Sequence, residues 1–207
     1  MNRVIAYVDG FNLCFGMRSR RWRRYYWLDL HRMAQNLLRS GQQLVESKYF
    51  TSRISATRAD PQKARRQVVY LEALQTLPNL RVFFGHYLEN PIECRRCGAT
   101  WLGHDEKMTD VNIATELLTD AFDDRFDTAL LVTADSDLTR PIEVVRARFP
   151  GKRVVLAFPP NRFSERLKQV GSAYFTVGRD VLAASQLPER VAKLDGFVLQ
   201  RPAAPLL

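Results

Sequence analysis

Three cysteines and three histidines are all the thiolate and imidazole metal ligands that this 207-residue chain carries. Nor does any apolar run approach the roughly 20 residues of a membrane helix, so no membrane-spanning helix is predicted. The N-terminus, Met1-Asn2-Arg3, leads straight into a short strand-like run. It shows no long apolar segment and no small-residue cleavage site, so it does not read as a secretory signal. With no signal and so few cysteines, a reducing, cytoplasmic setting is predicted, rather than a disulfide-built scaffold. Internal repeats are absent. So is any linker that would divide the chain, and one core suffices at this length. Lysine is scarce too: six of the 31 basic residues are Lys and the rest are Arg.

What is present is strongly basic. The 31 Lys and Arg face 22 Asp and Glu, a formal charge of +9. An Arg-rich excess suits bidentate phosphate contacts and points to nucleic acid as partner. An Arg-biased genome would give the same count. Hydrophobic content of 46% and charged content of 26% are those of an ordinary globular protein.

Apolar runs alternate with helix-period stretches, the pattern of a parallel α/β sheet. Strands are predicted over 3–8, 46–53, 80–84, 127–133, 153–158 and 173–176. Helices are predicted over 29–39, 61–76, 110–123, 138–148, 163–169 and 179–185. Residues 90–107 break the alternation and read as a loop insertion carrying Cys94, Cys97, Trp101 and His104. The main domain is placed at 1–185. Residues 186–207 form a C-terminal extension, partly flexible, with a Pro/Ala-rich tail from Pro202.

Four aspartates stand out against this frame. Asp9 follows Val4-Ile5-Ala6-Tyr7-Val8, and Asp135 and Asp137 follow Ala129-Leu130-Leu131-Val132-Thr133-Ala134. Asp110 opens the amphipathic run 111–122. In an open parallel sheet these positions share the carboxyl edge, where ligands bind. Singly, each acid could be a helix cap or a dipole partner. Jointly they are like charges brought together, and a hard cation such as Mg²⁺ or Mn²⁺ is the usual reason. The pattern predicts a metal-dependent enzyme acting on phosphate esters. Ser136 has no nearby His in sequence to activate it as a nucleophile.

Three motifs carry a family likeness. Val8-Asp9-Gly10-Phe11-Asn12 resembles the opening motif of NYN domains, the LabA-like branch of the PIN-like nucleases. Glu106-Lys107-Met108-Thr109-Asp110-Val111-Asn112 resembles their Lys-x-x-Asp-Val helix start. Thr133-Ala134-Asp135-Ser136-Asp137-Leu138 is similar to their Ser-Gly-Asp-Ser-Asp-Phe motif, with Ala134 and Leu138 as departures that remove no ligand. The resemblance implies a PIN-like Rossmannoid three-layer sandwich, a mostly parallel sheet flanked by helices. It implies a Mg²⁺- or Mn²⁺-dependent endoribonuclease, with Asp9, Asn12, Asp110, Asp135 and Asp137 as the site. Asp9 and Asp135 are then the expected direct metal ligands, and Asp110 and Asp137 bind directly or through water.

Two further segments bear on substrate and cofactor. Arg18, Arg20, Arg21, Arg23 and Arg24 interleave with Trp22, Tyr25, Tyr26 and Trp27. Arginines neutralise phosphates and flat rings stack on unpaired bases, so single-stranded RNA is the expected partner. Trp27 and Leu28 are expected to pack inward with the arginines facing out. Lys107 is a candidate phosphate contact. Cys94-Arg95-Arg96-Cys97 has the spacing of half a tetrahedral zinc site. His104, a second copy in a homodimer, or no zinc at all remain the options. Two other functions compete: a non-catalytic RNA- or protein-binding module, and a DNA nuclease or phosphatase with the same metal centre.

Overall fold

In the computed structural model, residues 1–56, 60–94 and 96–204 are described, with backbone alone for 87–92 and 101–107. Six parallel strands form the central sheet: β1 (Asn2–Asp9), β2 (Gln42–Thr51), β3 (Leu80–Phe84), β6 (Thr128–Val132), β7 (Arg153–Phe158) and β8 (Ala173–Thr176). Their order is β3-β2-β1-β6-β7-β8. The chain winds one way from β1 and the other way from β6. The crevice between the carboxyl ends of these two neighbours is therefore the topological switch point, the place where such sheets bind ligands.

Strand alternation builds the layers. Val4, Ala6 and Val8 of β1 face one core, with α1 (Gly10–Ser19), α2 (Leu30–Asn36), α3 (Lys63–Gln75) and α7 (Arg179–Ala184). Ile5 and Tyr7 face the other, with α4 (Thr109–Phe122), α5 (Thr139–Arg148) and α6 (Glu165–Val170). Strand β6 is buried at every position, as expected for a strand covered on both sides.

The second core contains a buried ionic network. Lys48 on β2 is fully buried, and its Nζ lies 2.6 Å from Glu116 and 2.5 Å from Asp120. Tyr7 donates its hydroxyl to Asp120 at 2.6 Å, and Arg125 pairs with both Asp120 and Glu46.

Three sequence expectations need correction. Residues 90–107 are not a loop: β4 (His86–Glu93) and β5 (Thr100–Lys107) pair antiparallel into a hairpin. Its turn closes through Gly98 N–H to Cys94 C=O and Cys94 N–H to Ala99 C=O, with Gly98 at φ 68°. The polar, Pro-interrupted sequence hid the period-2 signal. Residues 10–19, assigned no helix, form α1, because the Asp9 side chain caps it. Finally, β9 (Arg190–Ala192) and β10 (Val198–Gln200) form a small hairpin in the C-terminal segment. Leu187, Val191 and Leu199 from that segment are buried against the first core, and Trp27 Nε1 donates to Pro188 C=O at 2.7 Å.

Candidate functional site

Asp9 ends β1 and is 2% exposed. Its Oδ1 accepts from the Asn12 backbone N–H at 2.9 Å, which caps α1. Such caps are worth about 0.5–2 kcal/mol. Its Oδ2 accepts from Asn12 Nδ2 at 2.6 Å and from Thr133 Oγ1 at 2.9 Å. Gly10 must follow it, because a Cβ there would stand 2.7 Å from the Tyr49 ring and 2.8 Å from the Phe50 carbonyl.

Thr133, the residue after β6, ties the two central strands together. Its hydroxyl donates to Asp9 and accepts from the Asp135 backbone N–H at 3.1 Å. Asp135 caps the 3-10 turn Ser136–Leu138 by accepting from the Asp137 N–H at 3.0 Å. That turn is anchored by buried Leu138 and points Asp137 to the surface. Asp110 arrives from the first turn of α4, just after Met108, which sits in the left-handed region at φ 75°.

One ligand oxygen from each of Asp110, Asp135 and Asp137 lies within 4.8 Å of the other two. Asp9 stands beside this trio rather than in it, with its oxygens already engaged. Burial, followed by the charges of Asp135, Asp9 and Asp137, pushes the Asp110 carboxyl up to about 7. Burial also raises Asp9, against the lowering effect of its hydrogen bonds. A cation bound at the trio would displace the proton that Asp110 holds below about pH 7.

The remaining predicted residues divide. Arg18, Arg20, Arg21, Arg23 and Arg24 are exposed, whereas Tyr25, Tyr26 and Trp27 are buried. Trp22 is half-buried against the first core, so little of the expected stacking surface is free. Cys94 is half-buried and Cys97 exposed; among the described residues no group of three metal ligands includes either. The side chains of His104 and Lys107 lie outside the described residues. Thr133 lies in the third motif, whose resemblance implies no role for it. Arg162 carried no signal, since its contact with Asn12 spans 150 positions.

The NYN domain family model matches residues 3–178, nearly the whole chain. The chain belongs to the NYN domain family. NYN domains have the PIN-like, nuclease-type fold, and the three-layer sheet above is that fold. The NYN domain here is 31% identical over 179 aligned positions to 6-hydroxy-3-succinoylpyridine 3-monooxygenase HspA of Pseudomonas putida, which takes in 70% of this chain. It spans 56% of that relative's length. A solved structure of a Vibrio parahaemolyticus protein of unknown function superposes with a TM-score of 0.56 at 18% identity, over 90% of this chain and 96% of that one. That likeness concerns the fold alone. Among the described residues, no helix of this NYN domain is long and apolar enough to cross a membrane.

Proposed function

We propose that this NYN domain is a metal-dependent endoribonuclease that hydrolyses phosphodiester bonds in single-stranded RNA. The observation that carries the reading is the Asp110–Asp135–Asp137 trio at the switch point of the sheet. Three carboxylate oxygens without a His or Cys are a hard donor set, which fits Mg²⁺ or Mn²⁺. An ion held by Asp110, Asp135 and Asp137 would neutralise the scissile phosphate and activate water for in-line attack on phosphorus.

The chain's own residues do the positioning. Asp9, held by Asn12 and Thr133, fixes the start of α1 relative to β6 and adds negative charge behind the trio. Thr133 holds the backbone of Asp135, and Asp135 holds that of Asp137, so the two site acids are preorganised by one relay. Asn12 spends its Nδ2 donor on Asp9 and turns its Oδ1 outward to Arg162. That favours an orienting role over a phosphate contact.

The Pseudomonas relative's printed activity belongs to that protein. The test incubates the chain with Mn²⁺ and, separately, single-stranded RNA, the matching DNA strand, duplex RNA and a phosphomonoester. Internal cleavage of the RNA strand is the expected result. Cleavage of DNA or of the monoester alone would move the reading to a DNA nuclease or phosphatase. Tight RNA binding without cleavage would make it a binding module.

A further inference from the structure

Along α1 runs an open groove of about 760 Å³, lined by Phe15, Arg18, Ser19, Arg21, Arg23 and Arg162. Five of these positions come from α1 and the turn after it. Arg162 comes from the far side of the switch point, in the turn that follows β7. The two walls are locked by backbone contact: a Cβ on Gly16 would stand 2.7 Å from Pro160 C=O and 2.9 Å from Pro159 Cβ. The turn closes through Arg162 N–H to Pro159 C=O at 3.1 Å, with Asn161 at φ 56°.

Three observations give the groove a chemistry. First, among the described residues none of Arg18, Arg21, Arg23 and Arg162 forms an ion pair, while Arg3, Arg66, Arg81, Arg125, Arg140 and Arg201 all do. Converging guanidinium groups without a carboxylate suit an anionic ligand. Second, Phe15 is 40% exposed at the groove wall, and the Arg162 guanidinium lies 5.7 Å from its ring centroid. An exposed ring among arginines is a stacking platform for an unpaired base. Third, Arg162 Nη1 donates to Asn12 Oδ1 at 3.2 Å, so the groove runs into the residue that holds Asp9.

We propose that this groove seats the single strand next to the scissile phosphate. Arg162 grips the phosphate nearest the acids, Phe15 stacks a base, and Arg18, Arg21 and Arg23 hold the phosphates beyond. The proposal rests on the nuclease reading and names the path of its substrate. Arg20 and Arg24 do not line the groove. Arg24 instead stacks on Tyr25 at 4.8 Å and accepts from Arg201 Nη2 through its carbonyl at 2.6 Å. A duplex does not fit, because its bases cannot reach a ring.

The test measures anisotropy of a labelled 12-nucleotide single-stranded RNA in EDTA across a salt series, with Mn²⁺ cleavage assayed separately. In the Arg18→Ala/Arg21→Ala/Arg162→Ala variant, the log–log salt slope should flatten by about 0.7 per lost contact. Phe15→Ala should weaken binding by roughly 5- to 150-fold with the slope unchanged. Arg39→Ala/Arg153→Ala, which removes charge at the opposite edge of the sheet, should leave the slope as in wild type. Thermal unfolding checks each fold. A wild-type slope in the triple variant, or equal competition by duplex RNA or polyglutamate, overturns the groove and leaves the nuclease reading to stand on cleavage. The expected slopes without any cleavage in Mn²⁺ keep the groove and overturn the nuclease.

Discussion

The Thr133 hydroxyl sits 2.9 Å from Asp9 Oδ2 and makes the side-chain hydrogen bond that joins the carboxyl ends of β1 and β6. It serves both sides, donating to a buried carboxylate and accepting from the backbone of Asp135. Thr133→Val keeps the shape and removes both bonds. A hydrogen bond to a charged group is worth about 1.5–3 kcal/mol, so urea unfolding should show a loss of that order. RNA cleavage should fall as well, and Thr133→Ser should restore both. Unchanged activity in the Val variant would remove Thr133 from the site.

Asp110 makes stability depend on pH. Its folded carboxyl is pushed up to about 7, against about 3.9 in an unfolded chain. Between those values the folded state binds the proton more tightly. Stability of the metal-free protein therefore falls as pH rises from about 4 to about 7, and the penalty is complete above that. Asp110→Asn should remove this part of the slope. The check is chemical denaturation of both proteins in EDTA at pH 5 and pH 8, where the variant should gain most at pH 8. Parallel curves would contradict the crowding.

The buried cation of the second core has the opposite logic. Lys48→Met removes the buried ammonium and leaves Asp120 with only Arg125 and the Tyr7 hydroxyl, and Glu116 with only Arg81. Breaking a buried pair from one side costs about 3–5 kcal/mol. A midpoint shift of that size is expected in denaturant, while the protein that remains folded keeps its cleavage activity. Loss of cleavage without loss of stability would place Lys48 in the chemistry.

Much of this architecture is legible in the sequence, for identifiable reasons. Strands 80–84, 153–158 and 173–176 match the structure residue for residue, because short β-branched and aromatic runs between turn residues have few other ways to fold. The acids are legible because each stands at one end of an apolar or amphipathic run. Asp9 is expected as a direct ligand; the structure shows its oxygens hydrogen-bonded to Asn12 and Thr133, contacts that only the packing of β1 on β6 reveals. The hairpin β4–β5 was missed because its strands are polar and carry Pro91. Tyr25 and Tyr26 read as part of one arginine–aromatic stretch, because the arginines around them dominate the local pattern, yet both are buried. Arg162 reaches Asn12 through a crossover that no local spacing encodes.

Asp135→Asn isolates the charge of one site acid. The carboxamide oxygen can still accept from the Asp137 N–H, so the 3-10 turn should survive. Removing a like charge beside Asp9 and Asp110 should leave the metal-free protein at least as stable as wild type. Circular dichroism and thermal unfolding check the fold, and Mn²⁺ titration calorimetry should show weakened binding. Wild-type metal affinity would take Asp135 out of the ligand set.

On the proposed reading, the Asp110–Asp135–Asp137 cluster cuts RNA through a bound divalent ion. The most direct measurement is single-turnover cleavage of one labelled single-stranded RNA by wild type and by Asp135→Asn, each in Mn²⁺ and in EDTA. Internal cleavage by wild type is expected in Mn²⁺ alone, restored when excess Mn²⁺ follows chelation, with none by the variant. Cleavage by pure wild type in EDTA, or by Asp135→Asn at the wild-type rate, would contradict that reading.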